Sequence, residues 1–144
     1  SLLFRRVREE RGLAYSAYSY LAPMAISGAF VAGMQTDRSQ EEQALQVMRD
    51  TLESVAKNGL SEEDITAAKL NLINGFPLKL DTNAEIVNYI SMIAFYGLPT
   101  DYLETFQKSI AAVTSEDVGA ALRQYLKKDS LLTVIVGPDT PVAD

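Results

Sequence analysis

An arginine and a tyrosine seven residues apart, with a glycine between them, are the side chains of this sequence best suited to chemistry. The stretch reads Arg8-Glu9-Glu10-Arg11-Gly12-Leu13-Ala14-Tyr15. A guanidinium is a permanent cation with a fixed fork of donors, and a phenol adds one more donor. Side by side, the two can donate to a carbonyl oxygen on which negative charge develops, or hold neighbouring peptide carbonyls in register. The spacing suits that use. Arg8 falls in the last turn of an expected helix, Gly12 takes the left-handed position just past its end, and Tyr15 returns on the following strand. A plainer reading stands beside this one. Arg8 lies with Arg5, Arg6 and Arg11 where cations complement the helix dipole, and a tyrosine in a strand is commonly a packed aromatic with a satisfied hydroxyl. Gly12 is conformational in either case.

What the chain lacks is equally informative. Its 144 residues hold no histidine and no cysteine. Disulfides, thiolate catalysis and cysteine-based metal sites are therefore excluded. The net charge of −6 and a pI near 4.7 argue against a nucleic-acid partner, which calls for a clustered basic surface. No apolar run approaches the roughly 20 residues needed to span a bilayer. Glu41-Glu42 and Glu62-Glu63-Asp64 stand at expected helix starts, where acids complement the dipole rather than act as an acid–base pair. No calcium loop, phosphate-cradling glycine loop or nucleophile elbow occurs.

The elements that must position Arg8 and Tyr15 follow from periodicity. Residues 1–11 read as the end of an amphipathic helix with Leu3, Val7 and Phe4 inward. Residues 13–22 and 26–36 read as two strands of an antiparallel hairpin linked near Pro23. Tyr15 is expected on one strand face with Ala17 and Ser19, and Ser16, Tyr18 and Tyr20 on the other. Gly28 and Gly33 mark a bulge or a close backbone approach. Helices follow. One carries Ala44, Met48, Leu52 and Val55 inward and stops at Gly59. The next is capped by Ser61-Glu62-Glu63-Asp64, carries Ile65, Ala68, Leu72 and Ile73, and is broken by Pro77. A third is capped by Thr82 and Glu85, carries Ile86, Tyr89, Ile90 and Ile93, and stops at Gly97. Two more run from Asp101 to Val113 and from the Thr114–Asp117 cap, the last with Val118, Leu122, Tyr125 and Leu126 inward. The run Leu131-Leu132-Thr133-Val134-Ile135-Val136 is expected to be a buried central strand.

The fold class is therefore α+β, a single domain with helices gathered against one face of a largely antiparallel sheet. A three-stranded sheet is thin for so many helices, and Ser1 opens what reads as a helix already under way. A missing first strand and helix start upstream are expected.

With these segments in view, the chain resembles the later part of a pitrilysin-type (insulinase, M16) zinc-peptidase domain. The resemblance rests on Leu3-Phe4-Arg5-Arg6-Val7-Arg8-Glu9-Glu10-Arg11-Gly12-Leu13-Ala14-Tyr15; on Gly59-Leu60-Ser61-Glu62-Glu63-Asp64 with Ala68-Lys69; on Tyr96-Gly97-Leu98-Pro99 with Asp101-Tyr102-Leu103; and on Ala112-Val113-Thr114-Ser115-Glu116-Asp117-Val118. It implies a ferredoxin-like half-domain over residues 1–137, followed by a loose tail at 138–144. The family pairs two such halves, one of which holds zinc in an inverted His-x-x-Glu-His motif. A chain without histidine matches the other half, the one called inactive. The resemblance then implies no cofactor in this chain and zinc in a partner half, either in the same polypeptide or on a separate subunit. It places substrate contact on Arg8 and Tyr15, with peptides or unfolded polypeptides as substrates. The alternative is a non-catalytic scaffold or assembly subunit of the same fold. Bacterial relatives of this type are often exported, which points to the periplasm, with the cytoplasm as the other compartment.

Overall fold

The computed structural model describes residues 1–127 and 130–137, and the expected loose tail at 138–144 lies outside them. The described residues separate into two compact units: residues 1–58 with those from 122 onward, and residues 59–121.

The first unit begins with a short helix, α1 (Leu2–Phe4), capped by the Ser1 hydroxyl, which accepts from the Phe4 amide at 3.3 Å. It continues as a widened, π-type turn over Arg5–Glu9, closed by the Glu10 amide donating to the Arg5 carbonyl at 2.9 Å. Two strands follow, β1 (Ser16–Pro23) and β2 (Gly28–Gln35), paired antiparallel without a bulge from Ser16↔Gln35 to Pro23↔Gly28. β2 lies inside its expected range, β1 starts later than expected and runs one residue further to take in Pro23, and the two form a two-stranded sheet. Helix α2 (Glu41–Asn58) follows an Asp37 cap, whose carboxylate accepts from the Ser39 amide at 2.8 Å.

One face of the hairpin is covered. Val7, Leu13, Ala14, Ala17 and Ala44 form one buried cluster with Met34 and Val47 against it. Leu3, Met48 and Leu52 form another, with Ala32, Met34 and Leu126 packed on it. Ala44, Met48 and Leu52 fall on the expected helical stripe. The other sheet face carries Tyr18 and Tyr20, whose rings stack at 6.1 Å. A Cβ on Gly33, opposite Tyr18, would sit 2.6 Å from that ring. Of the two alternatives for Gly33, the close approach is the one realised.

The second unit contains α3 (Glu62–Gly75), a tight 3₁₀ turn at Pro77–Leu80, α4 (Asn83–Tyr96), α5 (Tyr102–Ala112) and the start of α6 (Ser115–Tyr125). Its caps are those the sequence indicates. Ser61 accepts from the Asp64 amide at 3.1 Å, and Thr82 and Glu85 form a reciprocal box. The Thr114 hydroxyl accepts from the Asp117 amide while the Asp117 carboxylate accepts from the Thr114 amide. The Thr114 hydroxyl also donates to that carboxylate at 2.6 Å, and it, with the Thr114 amide second, holds the Asp117 carboxyl below its ordinary value. Gly97 ends α4 at φ +62. The core is aromatic. Phe76 is buried, stacked on Phe106 at 4.2 Å and met edge-on by Tyr89 at 5.8 Å. Lys69 reaches across this unit, its Nζ donating to the Ala111 and Val113 carbonyls at 2.7 Å each and so satisfying acceptors at the end of α5.

Three expectations are corrected. Leu131–Val136 is not a strand: it is unpaired and exposed, with Leu132 and Val136 about nine-tenths accessible. A central strand needs a neighbour on each side, and the described sheet has two strands, paired to each other. Tyr125, Ile90, Leu72 and Ala68 are exposed rather than inward. The first segment is not a plain α-helix, because one i→i+5 bond replaces the usual closure near its end.

Val7 is the one large side chain with no accessible surface among the described residues. Val7→Ala is expected to lower stability by about 2 kcal/mol, transfer and cavity terms together, read from urea unfolding. Lys69→Met is expected to cost about 1 kcal/mol, as two carbonyls lose a charged donor.

Candidate functional site

The site is built around the end of the first helical segment. The Gly12 amide donates to the Arg8 carbonyl at 2.9 Å, and the Leu13 amide reaches the Val7 carbonyl at 3.0 Å. Gly12 has φ +63, the left-handed geometry expected of it. A Cβ there would meet nothing within 4 Å, so the demand for glycine is conformational and not steric. Leu13 and Ala14 then enter the core. Two bonds fix the returning backbone: the Thr36 hydroxyl donates to the Leu13 carbonyl, and the Tyr15 amide donates to the Gln35 carbonyl at 2.8 Å.

Tyr15 thereby stands on an anchored backbone with its side chain 68% exposed. It precedes β1, and two consecutive buried residues before it break the alternation. It therefore does not share the covered face with Ala17, which is the position the strand pattern implied. Arg8 is exposed as well, and its guanidinium lies over the Phe4 ring at 4.8 Å from the centroid. A cation over a ring face is held without losing its donors. Among the described residues no hydrogen bond joins Arg8 to Tyr15. Both are exposed donors on opposite sides of the Gly12 reversal.

The neighbouring arginines are handled differently. Arg6 and Arg11 donate to the Glu10 carboxylate at 3.0 and 3.2 Å, and Arg5 approaches it at 4.0 Å. Arg11 also donates to the Arg6 carbonyl at 2.8 Å. Arg6 above all holds the Glu10 carboxyl below its ordinary value, with smaller contributions from Arg11. Phe4, Glu10 and Thr36 are thus supporting residues that the sequence reading did not single out. The signal for Phe4 was present, since it stands four residues before Arg8 on a helix. Thr36 gave none, because its contact spans the whole hairpin.

Among the described residues nothing suits a zinc ion. Histidine and cysteine are absent, and the described residues hold no cluster of three or more carboxylates placed to share a metal. Among them, no helix is long and apolar enough to cross a membrane.

The chain is similar to known proteins over most of its length. A family model described as the peptidase M16 inactive domain matches residues 1–72. A protein of Streptomyces coelicolor named an uncharacterized zinc protease is 36% identical over 138 residues, which is 96% of this chain and 30% of that protein. A Helicobacter pylori protein named a non-peptidase homolog is 23% identical over 139 residues, 94% of this chain and 32% of its own. The crystal structure of a peptidase M16 inactive domain from Pseudomonas fluorescens superposes with a TM-score of 0.79 at 34% identity, covering 87% of this chain and 30% of that one. The chain spans about a third of the length of these relatives.

Because the Glu10 carboxyl titrates below its ordinary value of 4.5, its ion pairs stabilise the folded chain above that pH and are lost as pH falls through the lower folded-state value. Glu10→Gln is expected to be less stable than the parent at pH 7, with the difference vanishing in acid. Parallel denaturation curves at the two pH values check this.

Proposed function

The chain belongs to the peptidase M16 family and carries its inactive domain, and from that premise we propose that residues 1–137 form the substrate-gripping, zinc-free half of a metalloendopeptidase acting on peptides or unfolded polypeptides. The observation that carries the reading is the placement of Arg8 and Tyr15. Both are exposed donors, one held over Phe4 and the other on a backbone bonded to Gln35. In this role the guanidinium and the phenol donate to substrate carbonyl oxygens. They orient the scissile peptide and stabilise negative charge as it develops on the attacked carbonyl. The metal belongs to a partner half, in the same polypeptide or on another subunit, and this chain by itself neither binds zinc nor cleaves peptides.

A second reading has its own support. The Helicobacter pylori relative named a non-peptidase homolog shows that chains similar over nearly this whole length occur without peptidase activity in their name. In that reading the same surface serves assembly, and Arg8 and Tyr15 contribute nothing to turnover.

The two readings separate in the complete enzyme, zinc half included. Arg8→Ala and Tyr15→Phe are each expected to lower kcat/KM for an unstructured peptide by roughly a hundredfold, about 3 kcal/mol, without changing zinc content. Near-parental turnover in both variants defeats the role given to the pair. An assembled protein that cleaves no peptide at all supports the scaffold.

A further inference from the structure

Arg8 is one of four arginines within seven residues, and its surroundings differ from those of the other three. Arg6 and Arg11 donate to the Glu10 carboxylate, and Arg5 lies 4.0 Å from it. Arg8 takes no part in that cluster. Among the described residues it makes no ion pair, and its guanidinium carbon stands 4.8 Å from the centroid of the Phe4 ring. The neighbours at helical spacing account for the difference. Four residues before Arg8 comes a ring, and four after it comes Gly12, which has no side chain. Arg6 has Glu10 at that distance instead and pairs with it at 3.0 Å. The ring is a fixed platform, since Phe4 is half-buried and the residues Leu3 and Val7 of the same segment are both locked into core clusters.

The chemical consequence lies in the donors. A guanidinium presents five N–H donors and no acceptor. A carboxylate partner occupies two of them in a fork and neutralises the charge. A ring occupies none: its quadrupole attracts the cation to the face, and the N–H groups at the guanidinium edge stay available. We propose that Phe4 is the positioning residue for Arg8, fixing the guanidinium while leaving its donors and its full charge for a carbonyl oxygen of the substrate. The inference rests on the substrate contact given to Arg8 above and adds a residue that acts only through it. Three substitutions separate holding from occupying. Leucine keeps the apolar bulk and removes the quadrupole, and tyrosine keeps the ring. Glutamate four residues before an arginine is the favourable ion-pair orientation, so it holds the guanidinium but occupies its donors.

The test measures kcat/KM for an unstructured peptide in the complete enzyme, zinc half included. Phe4→Leu is expected to lower it about threefold, the worth of one exposed cation–π contact. Phe4→Tyr keeps the parental value. Phe4→Glu is expected to lower it roughly tenfold, and added salt recovers part of that loss relative to the parent by screening the new pair. The deciding readout is a double-mutant cycle with Arg8→Ala. Where Phe4 acts through the guanidinium, Phe4→Leu makes no further difference once Arg8 is alanine, whereas a merely structural contribution carries over undiminished. Should Phe4→Leu misfold by circular dichroism, Phe4→Met takes its place in the same cycle. Parental turnover in Arg8→Ala removes the role of the Arg8 and Tyr15 pair, and that of Phe4 with it. The expected large loss in Arg8→Ala, found together with parental turnover in Phe4→Leu or with an equal Phe4→Leu loss in both backgrounds, overturns the positioning role alone.

Discussion

The chain reversal at Gly12 is the constraint on which the first unit depends. A helix that ends in the left-handed conformation turns its next residues back under itself, and here they bring Leu13 and Ala14 into the cluster that buries Val7. The same reversal sets Arg8 at the helix end and Tyr15 at the entrance to β1. An ordinary L-residue at φ +63 costs about 1–2 kcal/mol from its own Cβ, although the space beside Gly12 is open. The demand at Gly33 is of the other kind. Its backbone is unremarkable, and it is the Tyr18 ring that leaves no room for a side chain. Two glycines of one hairpin region thus answer to different physics, one to torsion and one to volume.

The arginine-rich helix end shows how charge is sorted within a few residues. Glu10 collects Arg6 and Arg11 and lies near Arg5, while Arg8 is turned onto Phe4. Exposed ion pairs of this sort contribute little to stability. Their effect is on position: the carboxylate draws its neighbours to one side, and the guanidinium over the ring keeps its edge toward solvent. The widened turn over Arg5–Glu9 contributes to the same end, since an extra residue per turn redirects every side chain that follows it.

The two units reach their cores by different means. The first is aliphatic and depends on α2 lying against one face of the hairpin, with small residues Ala14, Ala17 and Ala44 permitting close approach. The second has little deep burial and is centred on Phe76, with rings from α4 and α5 around it. Its remaining order comes from ends rather than from core. Reciprocal caps at Thr82 and Thr114, the left-handed Gly97 and the Lys69 ammonium bonded to two carbonyls satisfy groups that helices of this length leave open.

The sequence by itself determined whatever depends on neighbours a few residues apart. Gly12, Gly97 and the Ser61, Thr82 and Thr114 caps are legible because their bonds close within one turn. The stripe Ala44, Met48, Leu52 is legible because helical spacing repeats it, and the hairpin because its two β-rich runs adjoin. The absence of histidine and cysteine likewise needs no structure to exclude their metal chemistry. Only the tertiary structure decided what rests on partners far along the chain. The run Leu131–Val136 has every mark of a central strand, yet a strand exists only where another lies beside it. Tyr15 leaves the covered face because Leu13 and Ala14 are both drawn inward, a demand set by Val7 and Ala44. Phe76 is central only because Tyr89 and Phe106 converge on it, and Thr36 matters to Tyr15 only across the hairpin. Local bonding is written in local sequence; convergence is a property of the folded chain.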